Sequence, residues 1–321
     1  MNLTRTSSST VLFACMLLLL GSCHPKSCII EPCITYCPSE SLIQKLPGCF
    51  PDLTPREKQS DWGKELMMGE EFAKEADLYR AITCFKRAFL LIPKRETDRR
   101  NQILYDIMFA YYLGGRLEEA VAVFEENTLA ALPPCFPAYR EMTLMMYDCY
   151  SQLEQYEKAD SILNYIEKHE PEAKEDLVLE TAILEGNLGE VEFLAANHRN
   201  SCEVSGWLED YHRDALSVRK AQTLNALLPG AGYYYAGQKQ AALTSLIINA
   251  LFSWASYEFF HHGYIAAGLI TASLEWGWYM GGINGAGLAA KEYNESLYNQ
   301  YAKEAMIQYK LFPILMFECA F

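Results

Sequence analysis

Between Thr54 and His198, apolar residues recur at i, i+3, i+4 and i+7, the spacing of one helix face. The pattern predicts consecutive amphipathic helices. Thr54, Pro55 and Glu57 mark the first start: a hydroxyl at the N-cap, proline at the first helical position and a glutamate that can close a capping box. A lone helical hairpin of this size cannot bury its stripe, whereas stacked hairpins bury a continuous one. Beyond residue 200 the pattern changes. A polar helix is predicted over about 205–228. Two apolar stretches follow, about 241–260 and 264–283, each of the roughly 20 residues that match a hydrocarbon core. The last segment, Leu311 to Phe321, is apolar and is expected to dock on the hairpin or on a bilayer. The predicted fold class is all-α: a solenoid of helical hairpins, then a hydrophobic helical hairpin.

The helical region repeats itself. Gly69 sits where a first helix must pass close to a second, and Phe72 follows three residues later. Ala81 and Ala88 are small residues at the crossing, Phe85 lies between them, and Pro93 ends the unit. The register returns 39 residues on, with Tyr111, Gly115, Ala120 and Phe124 in the corresponding places. It returns again after another 39, with Tyr150, Ala159, Leu163 and Pro171; there Glu154 replaces the turn glycine. A degenerate fourth unit covers about 176–198. Three registered copies resemble the tetratricopeptide repeat, whose usual geometry implies a concave face, lined by the first helices, that binds a peptide of another protein. First-helix residues outside the core places are then the partner-binding candidates: Glu70, Lys74, Asp106, Tyr112, Asp148 and Gln152. Each also reads simply as a solvated helix position. Cys84 and Cys149 fall beside core places and read as small apolar groups.

Pro229, Gly230, Ala231, Gly232 and three tyrosines precede the apolar stretches. Glu275, Gly277, Trp278, Tyr279 and Gly281 lie in the second stretch, and Tyr293–Asn294 follow it. Together they resemble a bacterial module found downstream of tetratricopeptide repeats, which implies two hydrophobic helices in a membrane rather than an activity. Gly277, Gly281 and Gly285 recur every four residues and predict a smooth face for close helix packing in lipid. Ser245, Asn249 and Ser253 form a matching small or polar face. Glu275 and Asn249 fall at similar depth, so Asn249 could donate to the carboxyl. A contact with another subunit and a proton- or ion-handling role stay open for Glu275. Glu258, His261 and His262 have a spacing that could hold a metal, but they also sit where a helix end needs polar residues; no metal is assigned. The flanking Arg219, Lys220, Lys239, Lys291 and Lys303 would place both hairpin ends in the cytoplasm. The N-terminus argues otherwise and is given more weight, so the hairpin would dip in from the far side, pack on protein, or be a very apolar soluble pair.

Arg5 precedes an apolar run, Val11 to Leu20, then Leu20, Gly21, Ser22 and Cys23. This resembles a bacterial lipoprotein signal, which implies that Cys23 is acylated and the repeats lie outside the cytoplasm, on the inner or the outer membrane. Two of the eleven cysteines, Cys15 and Cys23, are accounted for in this way, and nine remain. Cys28, Cys33, Cys37 and Cys49 cluster in a Pro-rich stretch that cannot build a core. Two local disulfides would order it. Zinc is the alternative, although the spacings match no paired C-x-x-C site. Nine is odd, so at least one thiol is free or joined to another molecule. The expected organisation is a signal at 1–22, a linker at 23–53, repeats at 54–200, a connecting helix at 201–228, the two-helix module at 229–295, and a C-terminal helix and tail at 296–321.

The net charge is −14, and residues 61–200 carry 27 Asp and Glu against 15 Lys and Arg. That balance opposes nucleic acid as a partner and suits either a solvated acidic face or a basic partner. No Gly-rich loop opens a helix to cradle a phosphate, no Ser–His–Asp spacing occurs, and no His pair has zinc-site spacing on a helix. The expectation is a lipid-anchored envelope adaptor without cofactor. The alternative is a membrane-embedded transporter or enzyme component working through Glu275.

Overall fold

A computed structural model describes residues 30–35 and 44–321. The signal segment, Cys23, Cys28 and Cys37 lie outside the described residues. Glu31–Phe321 form one compact unit, and among its described residues the only β pairing is a single parallel bridge, Gly48 with Ala320.

The protein is all-α, and from Pro55 to Asn197 each helix packs on the next in sequence, as helical hairpins require. Helix α1 (Pro55–Gln59) begins with the predicted capping box: Glu57 N–H donates to the Thr54 hydroxyl and Thr54 N–H donates to the Glu57 carboxylate. Four pairs follow. They are α2 (Asp61–Lys74) with α3 (Leu78–Leu91), α4 (Thr97–Leu113) with α5 (Leu117–Glu126), α6 (Tyr139–Gln152) with α7 (Tyr156–His169), and α8 (Pro171–Glu185) with α9 (Leu188–Asn197). Ala81, Phe85, Ala88 and Ala120 have no exposed surface, and Tyr111, Tyr150 and Ala159 are buried. A side chain at Gly69 would begin 2.5 Å from the Phe85 ring, so only glycine lets α2 and α3 approach this closely. Phe72 is half-buried beneath the Arg80 guanidinium, 4.5 Å from its ring centre. Phe124 and Leu163 are only half-buried; one turn past Leu163, Ile166 is fully covered.

The 39-residue register is visible in the backbone. Ala76, Gly115 and Glu154 occupy the same place in three successive turns, with φ of 57°, 67° and 57°. Each turn needs a left-handed residue, which costs a non-glycine side chain about 1–2 kcal/mol.

The region predicted as one helix over 205–228 is broken instead. Helices α10 (Ser201–Val204) and α11 (Gly206–Asp214) are separated from α12 (Val218–Leu227) by an extended Ala215–Ser217. The Ser217 hydroxyl caps α12 by accepting Lys220 N–H. Asn294 holds the break open, accepting Leu216 N–H at 2.7 Å and donating to its carbonyl at 2.8 Å.

After the short α13 (Ala231–Tyr235) come α14 (Lys239–His261) and α15 (Ile265–Gln308). Helix α15 runs for 44 residues without interruption, about 66 Å at helical rise. The hairpin base is closed by small residues, with Ala221, Ala236, Ala289 and Ala290 packed together. Pro229 and Gly230 turn the chain there. Gly230 has φ 92°, a Cβ on it would strike the Ala242 carbonyl, and its N–H donates to Asn225 Oδ1 at 2.8 Å. Gly232 passes equally close to the Ala221 carbonyl.

The two expected membrane spans are not met. No helix among the described residues is long and apolar enough to cross a membrane. Ser245, Asn249, Ser253, Ser256 and Glu258 punctuate α14, and Thr271, Ser273 and Glu275 punctuate α15, which lowers the mean hydropathy of both. The predicted glycine face is corrected too. Gly277 and Gly281 face open space, whereas Gly285 receives the Tyr233 hydroxyl. The reason is azimuth: Glu275 faces α14, and Gly277 lies about 200° further round the helix. Asn249 does not reach Glu275. Its amide donates to the Ser245 carbonyl one turn back at 2.6 Å, and Ser253 donates to Glu275 Oε1 at 3.4 Å.

Candidate functional site

The first helices α2, α4, α6 and α8 should line an open face, and in an open array one side of each would stay wet. In fact every residue of α4 from Gln102 to Tyr111 is buried, as is every residue of α6 from Leu144 to Tyr150. The cover includes the C-terminal segment. Leu311–Phe321 does not dock on the hairpin; it crosses the stacked helix pairs.

Its placement is specific at both side chains and backbone. Phe321 stacks on Phe109 of α4, with ring centres 4.6 Å apart, and on Phe85 of α3 at 5.9 Å. Phe317 meets Phe109 at 5.6 Å and Tyr112 at 6.4 Å. From α6, Arg140 donates to the Met316 carbonyl at 2.8 Å, and Glu141 accepts Glu318 N–H at 3.3 Å. Ala320 N–H donates to the Pro47 carbonyl, and Cys49 N–H donates to the Ala320 carbonyl. A disulfide joins Cys49 to Cys319 across 270 residues. Eleven residues thus touch helix pairs one, two and three.

The disulfide corrects the local pairing expected for the N-terminal cluster. Cys49 pairs with the C-terminal segment, and Cys33 is free and exposed. The parallel bridge brings Cys49 beside Cys319, which no spacing within 28–49 could signal. The unmatched thiol count was the one hint of a distant partner. Phe109, Arg140, Glu141, Phe317, Cys319 and Phe321 were missed, because nothing in their own periodicity distinguishes a groove lining from a core. Cys84 and Cys149 are free and buried, and burial pushes the Cys149 thiol well up, which keeps it inert.

The structure gathers three of the six partner-binding candidates. Tyr112 donates to Asp148 Oδ2 at 2.5 Å, and Gln152 donates to Asp148 Oδ1 at 2.7 Å. Asp106 and Asp148 are buried between successive first helices, so neither is offered to a partner here. Burial raises the Asp148 carboxyl against the lowering effect of those two donors. It drives Asp106 and Glu180 well up, each helped by a neighbouring carboxylate, Glu70 and Asp148 respectively. Glu70 is half-buried and accepts from Gln102 at 3.4 Å, and burial raises it as well. Lys74 remains at the surface, paired with Glu71 at 2.9 Å. An apolar cleft of about 340 Å³ opens between α5, α6 and α7, lined by Phe124, Tyr139, Met146, Tyr150 and Tyr165.

The hairpin presents the second unusual surface. Leu243, Ile247, Leu251 and Trp254 on α14, and Ile265, Leu269, Ile270, Leu274, Trp276 and Trp278 on α15, are each at least 48% exposed. At its tip Glu258, His261 and His262 each bring a ligand atom within 4.8 Å of the others, a set that could hold a divalent cation. Cys49, Glu141 and Cys319 meet the same distance, but the two sulfurs are bonded to each other. Comparison with known proteins finds no matching family, no matching curated protein and no matching solved structure.

Proposed function

We propose that this protein is a lipid-anchored envelope adaptor, in which tetratricopeptide-type helical pairs bind another protein and the α14–α15 hairpin lies in the membrane surface. The observation that carries the reading is the occupied groove. A largely irregular segment already lies across three helix pairs, held through aromatic rings and backbone hydrogen bonds together. Backbone bonds give affinity for any extended chain, and side-chain pockets give selectivity.

The hairpin supports the membrane half. The outward faces of both helices are apolar, from Leu243 to Trp254 and from Ile265 to Trp278, and contiguous exposed apolar area of this kind marks an interaction surface. No Lys or Arg occurs between Lys239 and Lys291. Tyr257, Phe259, Phe260 and Tyr264 crowd the tip, where aromatic residues suit a lipid–water boundary. We read the hairpin as entering the interface from one side. Acylation of Cys23 supplies a second attachment, and two weak anchors hold where one releases.

Crosslinking in cells followed by mass spectrometry tests the adaptor role. The wild type should recover an envelope protein, and Arg140→Ala combined with Gln152→Ala should recover at least fivefold less of it. Equal recovery from both would count against the groove as the binding surface. One observation favours a second reading, an ion-handling component: Glu275 Oε2 is buried without a hydrogen-bond partner. Glu275→Gln separates the two, because an adaptor keeps its partner whereas a proton-handling unit fails.

A further inference from the structure

We propose that the aromatic groove formed by Phe85, Phe109 and Tyr112 takes an extended peptide with two aromatic residues four positions apart, and that Leu311–Phe321 is a resident ligand clipped there by the Cys49–Cys319 disulfide. The inference rests on the adaptor reading and names what the groove recognises and what opens it.

The segment is buried, with Leu311 0% and Phe317 5% exposed, but it is held as an irregular chain rather than as a packed helix. It follows the end of α15 at Gln308 and has no regular structure beyond one short 3₁₀ turn, Pro313–Met316. It is recognised at points any extended chain could offer: a carbonyl at Met316, an N–H at Glu318, and both backbone groups of Ala320. Specificity comes from Phe317 and Phe321, whose rings share Phe109. If the segment left, Phe85, Phe109 and Tyr112 would face water, so the vacant groove favours a replacement of the same chemistry.

A tethered segment competes with free peptide at an effective concentration in the millimolar range. The disulfide makes this competition one-sided, because it holds the segment at Cys319 while α15 holds its other end. Cys49 and Cys319 are both only partly buried residues. A dithiol opens the clip in two steps. Its first thiolate attacks Cys319 Sγ, the S–S bond breaks, and Cys49 leaves as a thiolate that takes up a proton. Its second thiolate then attacks the mixed disulfide, and Cys319 leaves and is protonated. Two electrons pass from the dithiol to the pair, and the dithiol ends as a disulfide.

The probe is a fluorescein-labelled peptide with the sequence of residues 311–321 carrying Cys319→Ser, followed by anisotropy against the full chain. The oxidised protein should bind it at least tenfold more weakly than protein treated with a dithiol. Phe317→Ala with Phe321→Ala, disulfide intact, should also raise peptide affinity over the oxidised wild type. Circular dichroism checks that each form is folded, and the reduced wild type serves if the double variant is not. Equal binding before and after reduction would overturn the clip. No binding in either opened form would overturn the groove as a peptide site. Dimers on reduction, with the peptide left unbound, would assign the groove to a second copy and overturn the proposed partner. Failure here is separable from failure of the adaptor role: a partner recovered in cells equally by oxidised and reduced protein leaves the adaptor standing without the clip, and peptide binding with no partner recovered leaves the clip without the adaptor.

Discussion

Lipid vesicles added to the Cys23→Ser protein should shift its tryptophan emission to shorter wavelength, because the proposed membrane contact would carry three of its five tryptophans into the bilayer interface. Trp254, Trp276 and Trp278 are 63%, 50% and 49% exposed and all lie on the hairpin. Trp62 and Trp207 are buried in the rest of the fold and contribute an unchanging background. The Cys23→Ser background removes the proposed acyl chain, and the hairpin variants below assign the remaining binding. Leu251→Glu and Ile270→Glu each withdraw a side chain whose burial contributes about 2 kcal/mol, or roughly 30-fold in affinity. Vesicle flotation should show both variants largely released. An unchanged spectrum with no flotation of the parent protein would remove the membrane from the account.

The second large effect is a pH dependence. Asp106 is wholly buried in α4, and neither carboxylate oxygen has a hydrogen-bond partner. Burial first, then the Glu70 carboxylate, pushes its pKa well up, and Arg99 only partly opposes them. A carboxyl raised on folding binds more protons in the native state than in the unfolded one, so stability falls as pH rises. Below about pH 4, the range of an ordinary aspartate, both states are protonated and the term vanishes. It grows as pH climbs towards the raised folded pKa. Asp106→Asn removes this slope and should stabilise the protein at pH 8 by about 1–3 kcal/mol, with the two proteins converging on acidification. Urea midpoints from pH 4 to 8 measure it. Asp148 and Glu180 shift in the same direction, so the wild type should also gain stability on acidification from pH 8. Parallel midpoint curves for the two proteins would show that Asp106 carries no such term.

The repeat register was legible because it is local. Gly69 against Phe85, the alanines at the crossings, and the left-handed turn residues 39 apart all express contacts within one hairpin. The connecting break at Ala215–Ser217 was less legible, since it depends on Asn294, 78 residues distant from Leu216. The hairpin was read as two spans because apolar length was visible while the effect of each serine and asparagine on the whole helix was not. The glycine face failed for a geometric reason: a four-residue spacing says that glycines share a face but not which face meets the neighbour. Asp106 and Asp148 looked like surface candidates because a charged residue on an amphipathic helix ordinarily is. Only the close approach of successive first helices puts them inside.

The groove's occupant was beyond the reach of local reading. The tail has no period, its contacts span most of the chain, and its cysteine lies 270 residues from its partner. An apolar C-terminus alone could cover any apolar surface, and this chain has two, the hairpin and the repeats. Choosing between them took the rings of Phe317 and Phe321 in place on Phe109.

Peptide mapping of the protein without reduction tests the arrangement most directly. The account predicts a peptide containing Cys49 joined to one containing Cys319, which separate when a reductant is added. Cys49 joined instead to Cys28, Cys33 or Cys37, with Cys319 free, would mean that the C-terminal segment does not occupy the repeat groove.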